Sequence, residues 1–570
     1  MTVGSHSDQQ LLTQVLISRA KHSPDRVFGL LPKGEVLEDG FSELTYAALN
    51  HAVDNLAFWI DQKFGGKVQE SDSKKWPTIP YIGPNDVRYT LLTFAAMKTK
   101  RRLMLPLPSN AAEGMAKLLQ SVGTDTVLAG STHTGVWEPT RSLLSELNIL
   151  EIPEVKWLLE TDIDVAYPYA RSFEEGHKDT IWFLQTSGTT GDPKPINMTH
   201  QLFEDLSNHM TISAESPLDR KLGMMECLRD AYQPILVPLS WGAGTVSVTN
   251  WPLAAGTTPI FLPTNAPQPM TSEYLKNVMN STPKGKKNII MLTPATIREL
   301  ARDPSSLEAF RAYDSVGYAG APLDQATGDL ISQYTRVQSY IGSTDSGVYP
   351  LLLDEPKDWN IHRFYPDLDG FHLQLFDERE QLYELCINRQ PDEYRYCFVA
   401  SDDSVMQVFH TKDLWKPVPG RPEFYTGGGR VDDFVKLASL TKFNGVKIES
   451  IIDRDPQIES CIVAGEGRLR PFALIQLREN VEPKLESIWP TIQEVNKSLY
   501  AEAELCKELI MFTNPEKPIL RTAKGTVSRR KTIEMYESKI EEMYADAVRR
   551  GLLKSMVDGA NWQGVNGHKT

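Results

Sequence analysis

A loop rich in hydroxyl groups and glycine, residues 186–194, is the segment best suited to hold phosphate. It reads Thr-Ser-Gly-Thr-Thr-Gly-Asp-Pro-Lys and follows an apolar run, Ile181–Leu184, that predicts a strand. Glycine lets successive N–H groups approach an anion closely, hydroxyls add donors, and Lys194 adds positive charge. The P-loop spacing of Gly, four residues, then Gly-Lys-Ser/Thr is absent. The order indicates an ATP phosphate site outside the P-loop fold, whereas composition alone fits a polar surface loop equally well.

Two further segments follow predicted strands and carry small or oxygen-bearing residues. Gly320, Ala321 and Pro322 are compact enough for a flat ring to lie against the backbone. An ordinary strand-to-helix turn is the alternative reading of this segment. Residues 340–347 read Tyr-Ile-Gly-Ser-Thr-Asp-Ser-Gly. The Asp345 carboxylate is the kind of hard oxygen ligand that Mg²⁺ prefers, and the alternative is an Asp that caps a helix.

Three segments nearer the carboxyl terminus carry charges of interest. Asp413, in Phe-His-Thr-Lys-Asp-Leu, has two acceptor oxygens that suit the vicinal diol of a ribose. The alternative is a solvated loop carboxylate. Arg430 follows three consecutive glycines, residues 427–429, which predict a hinge because such a run stabilises neither a helix nor a strand interior. Lys524 lies in Thr-Ala-Lys-Gly-Thr-Val, which also reads as a basic surface patch.

Taken together, these segments resemble the motifs of the adenylate-forming superfamily, which comprises acyl- and aryl-CoA synthetases, peptide-synthetase adenylation domains and luciferases. They look in particular like the adenylation domain of fungal peptide-synthetase-like carboxylic-acid reductases. The resemblance extends from about residue 27 to residue 535. It implies the following roles: catalysis by Lys524, Thr344 and Asp345; nucleotide binding by Thr186, Ser187, Gly188, Thr189, Thr190, Gly191, Lys194, Gly320, Ala321, Pro322, Ile341, Gly342, Asp413 and Arg430; an acid pocket at Trp241, Gly320 and Gly347; a hinge at Asp432; and Mg²⁺ on Asp345.

The chain departs from the family pattern at four positions. Ile341 replaces the usual aromatic residue, Asp345 is one methylene shorter than the usual Glu, and Lys412 stands where glycine is usual. The family places a lysine directly after a glycine, whereas here Thr526 follows Gly525 and the lysine comes two residues earlier. A shift of two in an extended segment keeps a side chain on the same face, so we expect Lys524 to take the catalytic role.

The resemblance implies ATP-dependent conversion of a carboxylic acid into an acyl-adenylate with release of pyrophosphate. Transfer to a thiol would follow, either CoA or the phosphopantetheine of a carrier protein. The alternatives are a free-standing acyl- or aryl-CoA ligase and a non-catalytic scaffold that binds nucleotide. A phosphoryl-transfer enzyme releasing ADP is disfavoured by the missing Gly-Lys-Ser/Thr.

The expected substrate is a small carboxylic acid without an α-amino group, aryl or short acyl. Amino-acid-activating relatives carry an Asp that pairs with the substrate amine, and none occurs in Val237–Gly244. Trp241 lies in this segment, and we expect it to line the acid pocket. Core packing is an equally weighted reading of this tryptophan.

Apolar runs alternate with helical patterns through most of the chain, which predicts an α/β fold. We expect stacked αβ subdomains and a β-rich subdomain over residues 1–429, a small mobile α+β lid domain over 430–556, and a disordered tail over 557–570. The pattern predicts helices at 41–64, 87–97, 295–301 and 528–549, strands at 81–84, 103–107, 288–292 and 315–318, and short strands over 371–408.

Composition excludes some classes of partner. Lys and Arg number 60 against 74 Asp and Glu, a net charge of −14, which argues against nucleic acid. Apolar runs long enough to span a membrane are absent from the sequence, and the polar Met1–Gln10 shows no signal peptide. The five cysteines lack metal-ligand spacing, and each reads as a small core residue. We therefore expect a cytoplasmic protein.

Overall fold

The computed structural model describes residues 10–163, 165–187, 193–267, 270–344, 346–365, 368, 370–388, 408–521 and 527–553. For residues 186, 187, 193 and 194 it gives the backbone pairing only. Several predicted site residues, and the predicted tail 557–570, lie outside the described residues: Gly188, Thr189, Thr190, Gly191, Asp345 and Lys524.

The chain divides into two compact units. The large unit comprises Met1–Thr411 and Trp415–Gly427, and the small unit comprises Lys412–Leu414 and Gly428–Thr570. The sequence gives no signal that Lys412–Leu414 belongs with the small unit. The boundaries at 429/430 and 556/557 remain predictions.

The α-helices are named in chain order. They are α1 (Leu12–His22), α2 (Tyr46–Lys63), α3 (Arg88–Lys98), α4 (Ala112–Ser121), α5 (Glu138–Arg141), α6 (Val155–Glu160), α7 (Phe173–Gly176), α8 (Gln201–Glu215), α9 (Gly223–Leu228), α10 (Gly242–Ser247), α11 (Asn250–Ala255), α12 (Ser272–Ser281), α13 (Pro294–Leu300), α14 (Pro304–Ala309), α15 (Gln325–Ile331), α16 (Gly445–Ile452), α17 (Leu485–Asn496) and α18 (Arg529–Arg549).

The strands are named in the same way. They are β1 (Val27–Pro32), β2 (Phe41–Thr45), β3 (Thr78–Ile82), β4 (Arg102–Met104), β5 (Thr126–Ala129), β6 (Asn148–Glu151), β7 (Thr180–Ser187), β8 (Pro193–Thr199), β9 (Tyr232–Pro234), β10 (Thr258–Ile260), β11 (Ile289–Leu292), β12 (Ser315–Tyr318), β13 (Arg336–Ser339), β14 (Gly342–Ser343), β15 (Gly347–Val348), β16 (Ile361–His362), β17 (Phe371–Asp377), β18 (Leu382–Asn388), β19 (Val408–Pro417), β20 (Tyr425–Arg430), β21 (Phe434–Lys436), β22 (Lys442–Asn444), β23 (Ile458–Ala464), β24 (Phe472–Leu477) and β25 (Ile510–Phe512).

Mainly parallel sheets form the framework of the large unit. A six-stranded sheet has the order β6-β5-β3-β4-β7-β8 and is parallel except for the β7–β8 pair. A three-stranded parallel sheet has the order β11-β12-β13, and a four-stranded sheet has the order β2-β1-β10-β9. The β-rich part is a five-stranded sheet, β16-β20-β19-β18-β17. The predicted α/β class is confirmed.

Helix α3 is buried along its whole length in the large unit, so its two charged ends require partners. Arg88 bonds Asp86 at 2.6 Å, and the Lys98 ammonium lies 2.6 Å from the Asp54 carboxylate. These pairs let a helix with polar ends lie within an apolar core.

The small unit packs helices on both faces of its sheet. Neighbouring residues of β23 point to opposite sides, as strand geometry requires. Cys461 and Val463 join the cluster formed by α16 and α17, while Ile462 and Ala464 join the one formed by α18. Five residues at helical spacing along α18 all contribute to its cluster: Ile533, Tyr536, Ile540, Met543 and Ala547.

Two sequence-based expectations are wrong in detail. Residues 41–45 form strand β2 rather than the start of a helix, because they pair with β1 and Thr45 caps the helix that follows. The glycines at 427–429 lie inside strand β20, which occupies the sheet position between β16 and β19. Sheet pairing thus overrides the intrinsic preference of glycine, although Gly429 adopts a φ of +92° that L side chains rarely take.

None of the helices in the part of the chain described here is long and apolar enough to cross a bilayer.

His200 joins the amino-terminal helix to the core and should make the large unit sensitive to acid. Its ring is buried and accepts a hydrogen bond from the Leu12 N–H at 3.3 Å. Burial lowers the pKa of His200 to about 3, with smaller contributions from His177 and Arg171. Because the folded state resists protonation, stability is full above the ordinary histidine pKa of about 6.5 and falls as pH drops below it.

We expect this loss to reach about 2 to 3 kcal/mol between pH 7.5 and pH 4.5. Urea unfolding of the wild type and of His200→Gln across this range isolates the histidine, since other titrating groups cancel in the difference. The control is His22→Gln, which removes an exposed histidine of α1 and should keep the wild-type profile. Parallel pH profiles for the wild type and His200→Gln would contradict the assignment.

Candidate functional site

The predicted phosphate loop lies at the turn of an antiparallel hairpin. In the β7–β8 ladder, Thr186 pairs with Lys194 and Ser187 pairs with Pro193, so residues 188–192 form the connection. β7 is anchored in the sheet by its parallel pairing with β4. The strand predicted at Ile181–Leu184 is therefore confirmed, but it continues through Ser187, so the two ends of the predicted 186–194 loop are paired strand residues.

A pair of amides fixes the last part of β7 before the loop. Gln185 and Asn110 exchange two side-chain hydrogen bonds of 2.8 Å each, and the Leu107 N–H also donates to Gln185. The sequence analysis assigned no role to Gln185 or Asn110. Their complementarity appears only once the chain segments around them are paired.

Two other predicted motifs leave the same edge of the β11-β12-β13 sheet. In the register of this sheet, Tyr318 at the end of β12 lies beside Ser339 at the end of β13. Gly320, Ala321 and Pro322 follow β12 and are exposed. Gly320 has a φ of +86°, and no heavy atom lies within 4 Å of where its Cβ would be. Carboxyl ends of parallel strands are the usual place for ligands in α/β sheets.

The segment after β13 is a tight hairpin that requires glycine. A Cβ on Gly342 would lie 2.0 Å from the carbonyl oxygen of Gly347, whose own φ is +67°. The hydroxyls of Ser343 and Ser346 close the turn at 2.8 Å, and the Ser346 N–H donates to Ser343. Thr344 is half-buried in this turn. The glycines that resemble a nucleotide motif are therefore also needed by the backbone.

Ile341 packs on its own subdomain. It is half-buried against a cluster that includes Tyr349, Leu351 and Trp415, all in the large unit. Its N-terminal neighbour Tyr340 is fully enclosed. A branched aliphatic side chain at this position therefore still has one surface to offer to a ring, as the predicted adenine contact requires.

Trp241 is half-buried, so it is not a member of the buried core. It precedes α10, and its carbonyl accepts the Thr245 N–H at 2.9 Å. A Cβ on the next residue, Gly242, would lie 3.2 Å from the Leu184 side chain of β7. The tryptophan segment therefore runs beside the strand that leads to the phosphate loop.

Asn85 is a positioning residue that the sequence analysis did not single out. Its side-chain oxygen accepts the Leu239 N–H at 3.0 Å, which fixes the segment before Trp241. The neighbouring Asp86 receives several bonds from Arg88. Residues 83–86 thus support the segment before Trp241.

In the small unit, Asp413 and Arg430 are brought together from strands β19 and β20. The Arg430 guanidinium donates to the Asp413 carboxylate at 2.5 Å, and the Asp413 side chain is only 13% exposed. Asp432 bonds the Lys412 ammonium at 3.1 Å and lies 3.9 Å from Arg430. Four residues of two separate motifs thus form one charge network.

Lys412 adopts a left-handed backbone conformation, with a φ of +64°. Such a conformation is strained for any residue with a Cβ. This explains why the adenylate-forming motif has glycine here. In this chain the lysine bonds Asp432 across the network, which offsets part of the strain.

Lys524 itself lies outside the described residues, but both ends of its segment are paired. Arg521 and Val527 form an antiparallel bridge, and the Ser528 N–H donates to the Leu520 carbonyl at 2.7 Å. The Leu520 N–H in turn donates to the Thr532 hydroxyl of α18. The lysine is therefore carried by a connection whose ends are adjacent.

A buried ion pair supports this region of the small unit. Arg529 bonds both oxygens of Glu449 at 2.5 Å and also donates to the Val463 carbonyl at 2.7 Å. Burial raises the pKa of Glu449 to about 7, and the Arg529 charge opposes this shift. Glu449 belongs to α16, which begins at the buried Gly445. The two charged residues are 80 positions apart, so no local pattern predicts that they meet.

Family models identify the class of this fold. Residues 18–364 match the AMP-binding enzyme family, and residues 432–548 match the AMP-binding enzyme C-terminal domain. Because the first match spans more than half of the chain, the chain belongs to the AMP-binding enzyme family, a class of adenylate-forming ligases. The resemblance drawn from the sequence motifs is confirmed.

Individual relatives are fungal. The carboxylic acid reductase of Neurospora crassa is 27% identical over 558 residues, which cover 95% of this chain and 51% of that relative. An adenylate-forming reductase of Aspergillus terreus is 22% identical over 568 residues, covering 94% of this chain and 50% of that relative. This chain thus spans about half the length of these relatives.

Solved structures share the fold at low identity. ATP-bound MatB from Rhodopseudomonas palustris superimposes with a TM-score of 0.67 at 16% identity, covering 93% of this chain and 100% of that one. The similarity shows the two-part fold of adenylate-forming enzymes.

At position 412, the glycine variant should have a free energy of unfolding about 1 kcal/mol higher than the alanine variant, because the two variants differ only in backbone strain. Both Lys412→Gly and Lys412→Ala lose the exposed bond to Asp432. Chemical unfolding should therefore rank the glycine variant above the alanine variant.

Lys416, on the same strand and without a positive φ, supplies the matched control. There the order should reverse, with glycine less stable than alanine by about 0.5 to 1 kcal/mol. If glycine and alanine rank in the same order of stability at both positions, backbone strain at Lys412 is refuted.

Proposed function

We propose that this chain activates a carboxylic acid with ATP to form an acyl-adenylate and pyrophosphate, and that the acyl group then passes to a thiol. The observation that carries the proposal is the common edge of the β11-β12-β13 sheet. Gly320–Pro322 and Ile341–Thr344 both start from it; Gly320 leaves open space beside the backbone, and Gly342 allows close approach to Gly347. Membership of the AMP-binding enzyme family supports the reading.

The proposed adenine and phosphate contacts lie in the large unit. In the large unit, the exposed Gly320–Pro322 turn offers a flat surface for adenine, with Ile341 as an aliphatic neighbour. The ends of β7 and β8 and the segment between them take the phosphates, through Thr186, Ser187, Gly188, Thr189, Thr190, Gly191 and Lys194. The turn fits an adenine ring because open space lies beside Gly320, where a side chain would otherwise be.

We assign the ribose hydroxyls to Asp413 in the small unit. Its carboxylate has two acceptor oxygens, and Arg430 occupies one of them in this structure. The guanidinium orients the carboxylate for hydrogen bonds from a diol. Asp432, which bonds Lys412, is the proposed hinge residue.

We propose that Mg²⁺ is held by Asp345 together with the nucleotide phosphates. The donor set of the hairpin at 342–347 fits a hard cation, since it consists of hydroxyl and carboxylate oxygens. Bound Mg²⁺ would offset charge on the departing pyrophosphate.

In the proposed reaction an oxygen of the acid carboxylate attacks the α-phosphorus of ATP. A carboxylate–phosphorus bond forms, the bond from the α-phosphorus to the bridging oxygen breaks, and pyrophosphate leaves with the electron pair. The protein's part is positioning and charge stabilisation. Thr344 would contact the α-phosphate, and Lys524 would neutralise charge that develops around phosphorus.

For the substrate we favour an aryl or short acyl acid without an α-amino group. The half-buried Trp241 offers part of its ring to a ligand, and Asn85 holds the segment before it in place. The segment Val237–Gly244 carries no carboxylate for a substrate amine. Gly320 and Gly347 complete the proposed acid pocket.

The acceptor is either a carrier-protein phosphopantetheine or CoA. The relatives named carboxylic acid reductase and adenylate-forming reductase favour a carrier protein. A free-standing acyl- or aryl-CoA ligase and a nucleotide-binding scaffold are the competing functions. The sparse cysteines keep the cytoplasm as our proposed location.

The decisive experiment measures pyrophosphate released from ATP and Mg²⁺ across aryl, aliphatic and amino acids, with hydroxylamine to trap the adenylate as a hydroxamate. We expect pyrophosphate and hydroxamate in equal amounts with aryl or short acyl acids. Activation of α-amino acids alone would overturn the substrate assignment, and ADP release would overturn the reaction class. Tight ATP binding with no release for any acid would support the scaffold instead.

Lys524→Ala should lower adenylate formation at least about a hundredfold, since removing one preorganised donor at a charged transition state costs about 2.7 to 4 kcal/mol. Lys531→Ala, an exposed lysine of α18, is the matched control and should keep wild-type activity. The double variant Lys524→Ala/Thr526→Lys moves the lysine to the usual family position and should recover part of the rate. Near-wild-type pyrophosphate release by Lys524→Ala would refute the role of this lysine.

A further inference from the structure

The outer face of the β-rich sheet carries a cluster of side chains that the adenylation chemistry does not use. Leu373 of β17 and Leu385 of β18 pack into an apolar cluster on one face of the sheet. Because side chains alternate along a strand, Gln374, Glu384 and Cys386 point to the other face. In the ladder Gln374 lies directly opposite Glu384.

His410 of β19 completes this cluster, all of it within the large unit. Its Nδ1 lies 3.0 Å from Oε2 of Glu384 and 3.5 Å from Sγ of Cys386. One ligand atom from each of these three residues lies within 4.8 Å of the others. Oε1 of Gln374 lies 3.6 Å from the same sulfur.

These separations match a tetrahedral metal site. Zinc bonds of about 2.3 Å to sulfur and about 2.0 Å to nitrogen or oxygen place neighbouring ligand atoms roughly 3.3 to 3.6 Å apart. The histidine–cysteine distance already has this value, and the cysteine–glutamine distance is at its upper limit. The histidine–glutamate pair would have to separate by about 0.3 Å, which a rotation of either side chain supplies.

The chemistry of the three groups selects the metal. Thiolate and imidazole are ligands of borderline and soft cations, whereas Mg²⁺ and Ca²⁺ prefer all-oxygen sites. Solvent reaches the cluster at His410, whose side chain is 52% exposed. The Glu384 side chain is 13% exposed, and Cys386 is buried. A metal ion could therefore reach the ligands without opening the core.

We propose that Glu384, Cys386 and His410 bind one Zn²⁺ ion, with Gln374 or a water molecule as the fourth ligand. The Cys386 thiol gives up its proton on binding, and the imidazole binds through Nδ1 with its proton on Nε2. The ion cross-links β18, which ends at Asn388, to β19, which begins at Val408. It shares no residue with the proposed Mg²⁺ site at Asp345.

The test uses the full chain without an affinity tag, stripped of metal with a chelator and titrated with Co²⁺ as a spectroscopic substitute for Zn²⁺. We expect one equivalent to bind with a thiolate-to-cobalt charge-transfer band and the intense visible bands of tetrahedral cobalt. Zinc should displace the cobalt and abolish both. Saturating Zn²⁺ should also raise the unfolding midpoint of the wild type.

Three variants assign the ligands. Cys386→Ser should abolish the charge-transfer band. His410→Ala, at a half-exposed position that leaves the core intact, should weaken cobalt binding by at least about a hundredfold, since changes even outside the ligand shell cost 10- to 100-fold. Cys506→Ser removes a partly exposed thiol of the small unit and should bind like the wild type.

Two results would overturn the site. One is a wild-type protein that shows no charge-transfer band, whether or not it binds Co²⁺. That result would mean that hydrogen bonds alone hold the cluster together. The other is a band that survives in Cys386→Ser or an affinity unchanged in His410→Ala. Circular dichroism of each variant establishes that a lost band reflects a lost ligand and not a lost fold.

Discussion

The ring of Tyr340 occupies the space where a side chain on Gly317 would be. A Cβ at Gly317 would lie 2.5 Å from this ring, so β12 and the end of β13 approach only because residue 317 has no side chain. Tyr340 is buried, and its position fixes where Ile341 and Gly342 leave the sheet. A second close approach lies nearby, where the Trp359 ring covers Gly328 of α15 and Tyr318 meets its edge. The geometry of the proposed nucleotide edge depends on these two aromatic contacts.

In the small unit, ion pairs hold helices and strands in position. Arg529 reaches both Glu449 and the Val463 carbonyl, so a single guanidinium joins α18, α16 and β23. The same principle acts around Asp413, whose carboxylate is held by Arg430. Breaking a buried pair leaves one charge without compensation, which costs about 3 to 5 kcal/mol, so the Arg529–Glu449 pair holds the start of α18, shortly after Lys524, in place.

Many of the helices and strands could be predicted from the local spacing of apolar residues. The apolar runs at β7, β11 and β12 and the amphipathic face of α18 were predictable because burial imposes periods of two and 3.6 residues on the sequence. The failures share one cause, which is pairing with distant segments. Residues 41–45 have helical spacing yet join β1, and the glycines at 427–429 disfavour a strand yet occupy a sheet position. Gln185 with Asn110, and Glu449 with Arg529, are separated by about 75 to 80 residues, so no local pattern reveals them.

The sequence by itself determined the family, the α/β class and the position of each motif, because glycines, hydroxyls and charges in a fixed order carry that information locally. It also indicated that Lys412 stands where glycine is usual, and only the backbone showed why, with its φ of +64°. The tertiary structure alone decided which motifs share an edge, which charges meet, and that Cys386 lies beside Glu384 and His410. Spacing along the chain suggested no metal ligands among the cysteines. Strand register brings together residues 24 to 26 positions apart, and distance in space, unlike order in the sequence, governs coordination.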